Sequence, residues 1–391
     1  RLRSHLCDPC HLRIPPVPPR CFTPGAAAIR PGGKRVVAGM KLCRSGLAAV
    51  MLAISPAVSA GAQISPPVYD LDCDGAEAYS RRSRGIAVIV VHAGDIVCAR
   101  YADGIDPEQG WEIASGVKSF TAIMAAAAVQ DGLLSLDERA ADTLTEWQDD
   151  PERAAITVSH LLSQSSGLAL PRESSRLPGY EAAIRTRAQR RPGEAFIYGP
   201  RHFQAFGELL RRKLEAAGLD ATPAHYLGRR VLVPMGIEVT NWAMVDGMPV
   251  LSEGASISPL DWARFGYFVL HDGDEGGTGL VDSAAMAALF EPSAPNPAYG
   301  LGWWLPHPRH AGFRGSRQIG HLLDTLGADA DFPEIHVAAG AGAQRLYLFP
   351  DLDLVVVRMT RGVTEDPAPR SRSWSDRRFI EHLLVRQERA R

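Results

Sequence analysis

Lysine is nearly missing from this 391-residue chain. Of its 42 basic side chains only Lys34, Lys41, Lys118 and Lys213 are lysines and the rest are arginines, so a lysine in the folded part calls for a role that arginine cannot fill. An excess of either charge is missing too. The 42 basic groups face 44 acidic ones and leave a net charge of -2, without the basic field that gathers phosphate backbones, so nucleic acid is not the expected partner. Long apolar runs are absent: the best, from Gly46 to Val58, is shorter than the roughly 20 residues a membrane-crossing helix needs. No G-x-S-x-G and no H-E-x-x-H occurs, which disfavours an α/β-hydrolase elbow and a zincin site. The glycines around 273–279 follow no strand and lack a lysine, so they read as turns and not as a phosphate cradle.

Cysteine is scarce where it matters. Cys7, Cys10, Cys21 and Cys43 lie in or before a leader-like stretch, leaving Cys73 and Cys98. In an oxidising compartment these two could form a disulfide; as buried thiols they would be inert, and spacing alone does not decide. Cys7 and Cys10 have a C-x-x-C spacing with no second pair at a zinc-site interval, and no function is assigned to them. His307, His310 and His321 sit in a loose, Pro-containing stretch and read as surface histidines, not metal ligands.

What is present begins with an N-terminal extension, residues 1–39, rich in Pro, Arg and Cys and without helical or strand period. Residues 40–62 then run from a short basic region through an apolar stretch to small residues, the pattern of a secretory signal peptide. Cleavage after Ala60 or Ala62 fits. The remaining chain, 63–391, is expected to be exported, periplasmic or secreted, with no stable membrane span once the leader is removed. With 46% hydrophobic and 22% charged residues, the composition suits one large core or two packed lobes.

Residues 86–92 and 96–101 are β-rich around Ala93, Gly94 and Asp95, which predicts a hairpin. Ser115 to Asp131 is Ala-rich and closed by Gly132, a helix signal. Thr157 caps a helix expected to stop at Gly167, and Phe203, Phe206, Leu209, Leu210 and Leu214 share one helical face. Thr222-Pro223 and Ser258-Pro259 mark two further helix starts. Strands return at 344–349 and 354–358, and Phe379, Ile380, Leu383 and Leu384 make a last amphipathic helix. The expected architecture is an antiparallel sheet lobe (about 64–110 and 298–391) flanked by helices, with an inserted helical lobe (about 111–297) and a cleft between them.

The chemistry centres on Ser115-Gly116-Val117-Lys118, an S-x-x-K at the start of the strongest helix. That spacing puts hydroxyl and amine on one face, beside N-terminal peptide groups that favour developing negative charge. Serine needs a base to become a nucleophile; lysine can serve if its environment favours the neutral amine, and arginine cannot.

The run from Trp111 to Phe120 resembles the nucleophile region of the β-lactamase-related serine hydrolases, which include class C β-lactamases, D-alanyl-D-alanine peptidases, certain esterases and 6-aminohexanoate-dimer hydrolases. Three further stretches agree in order: Asp131 to Asp137, Leu161 to Leu168, and Tyr299-Gly300-Leu301-Gly302-Trp303-Trp304. The resemblance spans about residues 85–385 and implies a β-lactamase/transpeptidase-like fold, α/β plus all-α. It also implies that Tyr198 in Phe196-Ile197-Tyr198-Gly199-Pro200 relays a proton between nucleophile and leaving group. Pro200 stands where the family usually has asparagine. The family's cationic strand motif is replaced by Gly340, Ala341, Gly342 and Ala343, whose backbone, with the Ser115 N-H, is expected to hold the oxyanion. Loss of the strand cation favours uncharged esters or amides; His336 or Arg345 could restore a charge.

The expected activity is hydrolysis of a small-molecule ester or amide through an acyl-enzyme on Ser115, with Lys118 as base, Tyr198 as relay and no metal or organic cofactor required. The alternatives are a D-alanyl-D-alanine peptidase or β-lactamase, and a non-catalytic cell-envelope binding protein of the same fold.

Overall fold

The computed structural model describes residues 68–169, 177–274, 279–307, 332–361 and 374–387. The signal-peptide reading, His310 and His321 fall outside them. Two β-rich segments at opposite ends of the chain build the central sheet. β1 (Gly85–His92) and β2 (Asp95–Tyr101) form the first hairpin. β3 (His336–Gly340), β4 (Gln344–Phe349) and β5 (Leu354–Thr360) form the C-terminal meander. The order is β2-β1-β5-β4-β3, antiparallel throughout, so β3 is an edge strand.

Side chains alternate across this sheet with period two. Ile89, Val91, Leu346, Leu348, Val355 and Val357 join the larger core, and Val88, Val90, Tyr347, Phe349, Leu354 and Val356 join the smaller one. On the larger side pack the helices α2 (Val117–Gln130) and α4 (Pro259–Leu270); on the other lie α1 (Cys73–Arg82) and α5 (Asp376–Leu383). Helix α2 is buried almost end to end, from Val117 through Ala128. Its alanines present little volume, which lets neighbours approach closely on every side. The helix α3 (Pro200–Ala216) carries the apolar face read from the sequence, with Phe203, Phe206, Leu209, Leu210 and Leu214 fully buried.

Two helix boundaries differ from expectation. Ser115 precedes α2, in a 3₁₀ turn spanning Ala114–Gly116, because Ala114 adopts φ 48° and breaks the helical path directly before the nucleophile candidate. The helix capped by Thr157 ends at Leu162, not Gly167, because Gln164 turns to φ 57°. Cys73 on α1 and Cys98 on β2 are disulfide-bonded, with Cα atoms 5.9 Å apart. Among the described residues no helix is long and apolar enough to cross a membrane.

Candidate active site

The 3₁₀ turn delivers the S-x-x-K pair. It hands Ser115 on to the first turn of α2, where residues three apart share a face, and Lys118 Nζ lies 3.1 Å from Ser115 Oγ. Ser115 is half-buried and Lys118 is 3% exposed. Lys118 Nζ also donates to the Ser252 carbonyl at 2.8 Å and sits 4.8 Å from the centroid of the Tyr198 ring. Among the described residues no carboxylate pairs with it. The other lysine of the described chain, Lys213 on α3, pairs with Glu138 at 2.8 Å, both side chains partly buried. The sparing use of lysine therefore separates one structural residue from one aimed at a hydroxyl.

Tyr198 is placed by a loop fastened at three points. Ile197 N-H donates to the Gln164 carbonyl at 2.9 Å. Gly199 N-H donates to Gln164 Oε1 at 2.8 Å. His202 Nε2 lies 2.7 Å from the Ile197 carbonyl, while its Nδ1 lies 2.7 Å from Ser166 Oγ. Since a carbonyl only accepts, Nε2 carries the proton and Nδ1 accepts from the serine hydroxyl. His202 is 1% exposed. Burial, outweighing the Ile197 bond and helped by the nearby Lys118 charge, lowers its pKa to about 4, so the ring is neutral at pH 7. Pro200 opens α3 at its first turn, where a missing N-H costs nothing. No side-chain amide stands at this position, and the Ser252 carbonyl is the lysine's second polar partner.

The Tyr299–Trp304 stretch packs against the same place. Gly302 N-H donates to Leu162 O at 3.2 Å, and Trp304 exchanges two backbone bonds with Val337 of β3, each 2.9 Å. The rings of Phe196, Tyr198, Tyr299 and Trp304 form one cluster with centroids 4.8 to 6.4 Å apart, spacings at which aromatic pairs attract. Tyr299 is fully buried. Burial first, then the neighbouring Tyr198, pushes its hydroxyl well above the usual range. On the other flank Glu112 is pushed up by burial and by Glu253.

The C-terminal end of β3 closes on the nucleophile turn. A Cβ at Gly340 would stand 2.1 Å from the Ile113 carbonyl oxygen and 3.2 Å from Ala114 Cβ, so only glycine allows the strand to pass this near Ser115. Ala341, Gly342 and Ala343 form the turn into β4, half-buried. Arg345 does not supply a substrate-facing cation. It is 3% exposed, and its Nε pairs with Asp376 at 2.8 Å; at 345 the strand alternation points the side chain beneath α5. His336, at the other end of β3, stacks on Phe290 with centroids 4.2 Å apart and lines a cavity of about 240 Å³ with Glu291, Leu305, His307 and Glu334.

Sequence reasoning named Ser115, Lys118, Tyr198 and residues 340–343, which surround one small region. It missed Ser252, His202 and Gln164. Ser252 works through its backbone carbonyl, which leaves no side-chain signal. His202 was visible as a histidine one turn beyond Tyr198 on an otherwise apolar helical face.

A β-lactamase family model matches residues 72–378. Among solved structures, a penicillin-binding protein homologue from Caulobacter crescentus is 17% identical, with a TM-score of 0.58 over 81% of this chain and 97% of that one. An octameric penicillin-binding protein homologue from Pyrococcus abyssi is 18% identical, with a TM-score of 0.57 over 76% of this chain and 75% of that one. EstCE1, a hydrolase with promiscuous acyltransferase activity, is 16% identical, with a TM-score of 0.58 over 79% of this chain and 96% of that one. No curated protein matches the chain. At these identities the structures share the fold.

Proposed function

The chain belongs to the beta-lactamase family, and from that premise we propose that it is a serine hydrolase acting on an uncharged ester or amide through an acyl-enzyme on Ser115. The observation that carries the reading is the contact of a buried lysine with a serine hydroxyl at 3.1 Å. In this reading Lys118 takes the Ser115 proton as Oγ attacks the substrate carbonyl, giving a tetrahedral oxyanion. The Ser115 N-H and one N-H from the 340–343 segment receive that charge. Tyr198, whose ring lies against the lysine, passes the proton to the leaving group, and the same groups run in reverse to activate water and release the acid. Pro200 in place of an amide, and Arg345 neutralised by Asp376, leave the described cleft without the contacts that would recruit a charged acylamide. That favours esters or uncharged amides over penicillins.

The reading includes export. The basic, apolar and small-residue order of 40–62 and the Cys73–Cys98 disulfide both suit an oxidising compartment.

The test is turnover of p-nitrophenyl butyrate by the purified protein beside a chromogenic cephalosporin, with intact-mass detection of an acyl adduct. Ester hydrolysis lost in both Ser115→Ala and Lys118→Arg is expected. Faster acylation by the cephalosporin would transfer the assignment to a β-lactamase or peptidase. Absence of turnover and of any adduct with either compound would leave a binding protein.

A further inference from the structure

Two arginines lie inside the sheet's smaller core, directly opposite each other: Arg345 on β4 pairs in register with Arg358 on β5. Like charges in that relation repel, and both are at most 3% exposed, so what holds them there needs explaining. Asp376 at the start of α5 meets Arg345 Nε at 2.8 Å and accepts from the Tyr347 hydroxyl at 2.5 Å. Of the remaining donors, Arg358 Nε bonds Ser80 Oγ at 3.1 Å and its Nη2 the Ser83 carbonyl at 2.6 Å, while the Nη1 of each arginine reaches the backbone of the turn beside the nucleophile. Arg345 Nη1 donates to the carbonyls of Gly340 at 2.9 Å and Gln344 at 3.0 Å. Arg358 Nη1 donates to the carbonyl of Ala343 at 2.8 Å, and Thr360 Oγ1 to that of Gly342 at 3.0 Å. Four carbonyls of one short turn are thus drawn inward by buried side chains.

In a trans peptide the N-H points opposite the preceding C=O. With the Gly340 carbonyl held on Arg345, the Ala341 N-H faces the outer edge of β3. Strand alternation gives the same direction, since Val337 sends its own N-H and C=O outward to Trp304 and positions 339 and 341 follow it by twos. On its α2 face Gly340 abuts Ile113 and Ala114, so this end of β3 lies beside the turn that carries Ser115.

We propose that Arg345, braced by Asp376 and Tyr347, is a positioning residue that fixes the Ala341 N-H as the second oxyanion donor. This rests on the reading of Ser115 as the acylated nucleophile. A donor held before reaction begins needs no reorganisation as charge develops; a turn rich in glycine and alanine has no side chains of its own to hold it.

The experiment compares wild type with Arg345→Lys, which can keep an ion pair with Asp376 while losing the two-pronged hold on Gly340 and Gln344. Kinetics on p-nitrophenyl butyrate are measured beside inhibition by phenylboronic acid, whose tetrahedral adduct mimics the oxyanion. Expected are a kcat lower by about 10- to 100-fold, a KM within about two-fold, and a boronate inhibition constant raised in proportion to the kcat loss. Circular dichroism and melting confirm folding. If Arg345→Lys does not fold, Tyr347→Phe, which loosens Asp376 and leaves the guanidinium in place, is read by the same ratio with a smaller loss. A folded variant with unchanged kcat and boronate affinity, or one altered only in KM, overturns the proposal. Wild type that neither turns over the ester nor takes a fluorophosphonate label on Ser115 instead removes the hydrolase reading beneath it.

Discussion

His202 Nε2 lies 2.7 Å from the carbonyl of Ile197, the residue that immediately precedes Tyr198. The ring therefore ties the helix α3 to the loop that aims the tyrosine. The bond to Ile197 favours the charged ring, and burial outweighs it, so the imidazole is neutral at pH 7.

Acid should destabilise the fold at this ring, because burial opposes its charged form. The folded ring titrates at about 4, against about 6.5 in an unfolded chain. Between those values the unfolded chain binds the extra proton, so stability is fully present above pH 6.5 and falls as pH drops toward 4, by about 3 kcal/mol from this group. Urea unfolding at pH 7.5 and pH 4.5 measures the loss. His202→Gln should be less stable at pH 7.5 yet lose less on acidification; an equal acid loss in both proteins would assign the effect to other groups.

The disulfide bears on stability alone. Cys73 and Cys98 are 25 residues apart and join α1 to β2, on the opposite side of the sheet from α2. On the chain-entropy account, closing a loop of that size stabilises the fold by about 3 kcal/mol. The Cys73→Ala/Cys98→Ala double variant should show that loss in urea midpoint, and ester turnover per folded molecule should be unchanged. Wild type in dithiothreitol should approach the variant; indifference to reductant would mean the bond contributes nothing.

The sheet hairpins, the buried α2 and the amphipathic α3 were legible because each rests on local signals: alternation, alanine content, a helical apolar face. Ser115 and Lys118 were legible for a different reason, chemical necessity set against a background of arginine. Hidden were the features made by long-range contact. Arg345 reads in sequence as a candidate substrate cation, and only the arrival of Asp376 from 31 residues away shows it to be internal. Ser252 reaches Lys118 across 134 residues through a carbonyl, a group every residue possesses. The end of the Thr157 helix was misplaced because Gln164 adopts φ 57°, a conformation that sequence would have assigned to Gly167.

Ala114 holds φ 48° beside the nucleophile, a conformation that costs an L-residue about 1 kcal/mol. Glycine relieves that strain and loosens the turn. Ala114→Gly should keep its stability within about 1 kcal/mol of wild type while kcat falls several-fold, since Ser115 loses its fixed approach. Ala114→Val, β-branched and crowded by Gly340, should lose more than about 2 kcal/mol. A glycine variant with full kcat would show that the strain has no catalytic use.

Gly340 provides the sharpest separation of activity from stability. Its missing Cβ would lie 2.1 Å from a backbone oxygen of Ile113, an atom that cannot swing aside as a side-chain tip can. Gly340→Ala must therefore push β3 away from the nucleophile turn by something near 1 Å, a displacement that at a reacting centre costs on the order of 100-fold in rate. Gly132 is the control. It has φ 69°, and a methyl group added there would meet nothing within 4 Å, so Gly132→Ala should cost about 1 kcal/mol of stability and leave kcat unchanged. Thermal melts and p-nitrophenyl butyrate kinetics on the two variants test the contrast. If Gly340→Ala loses no more activity than Gly132→Ala, the edge of β3 does not serve the oxyanion, and the second donor has to be sought elsewhere around Ser115.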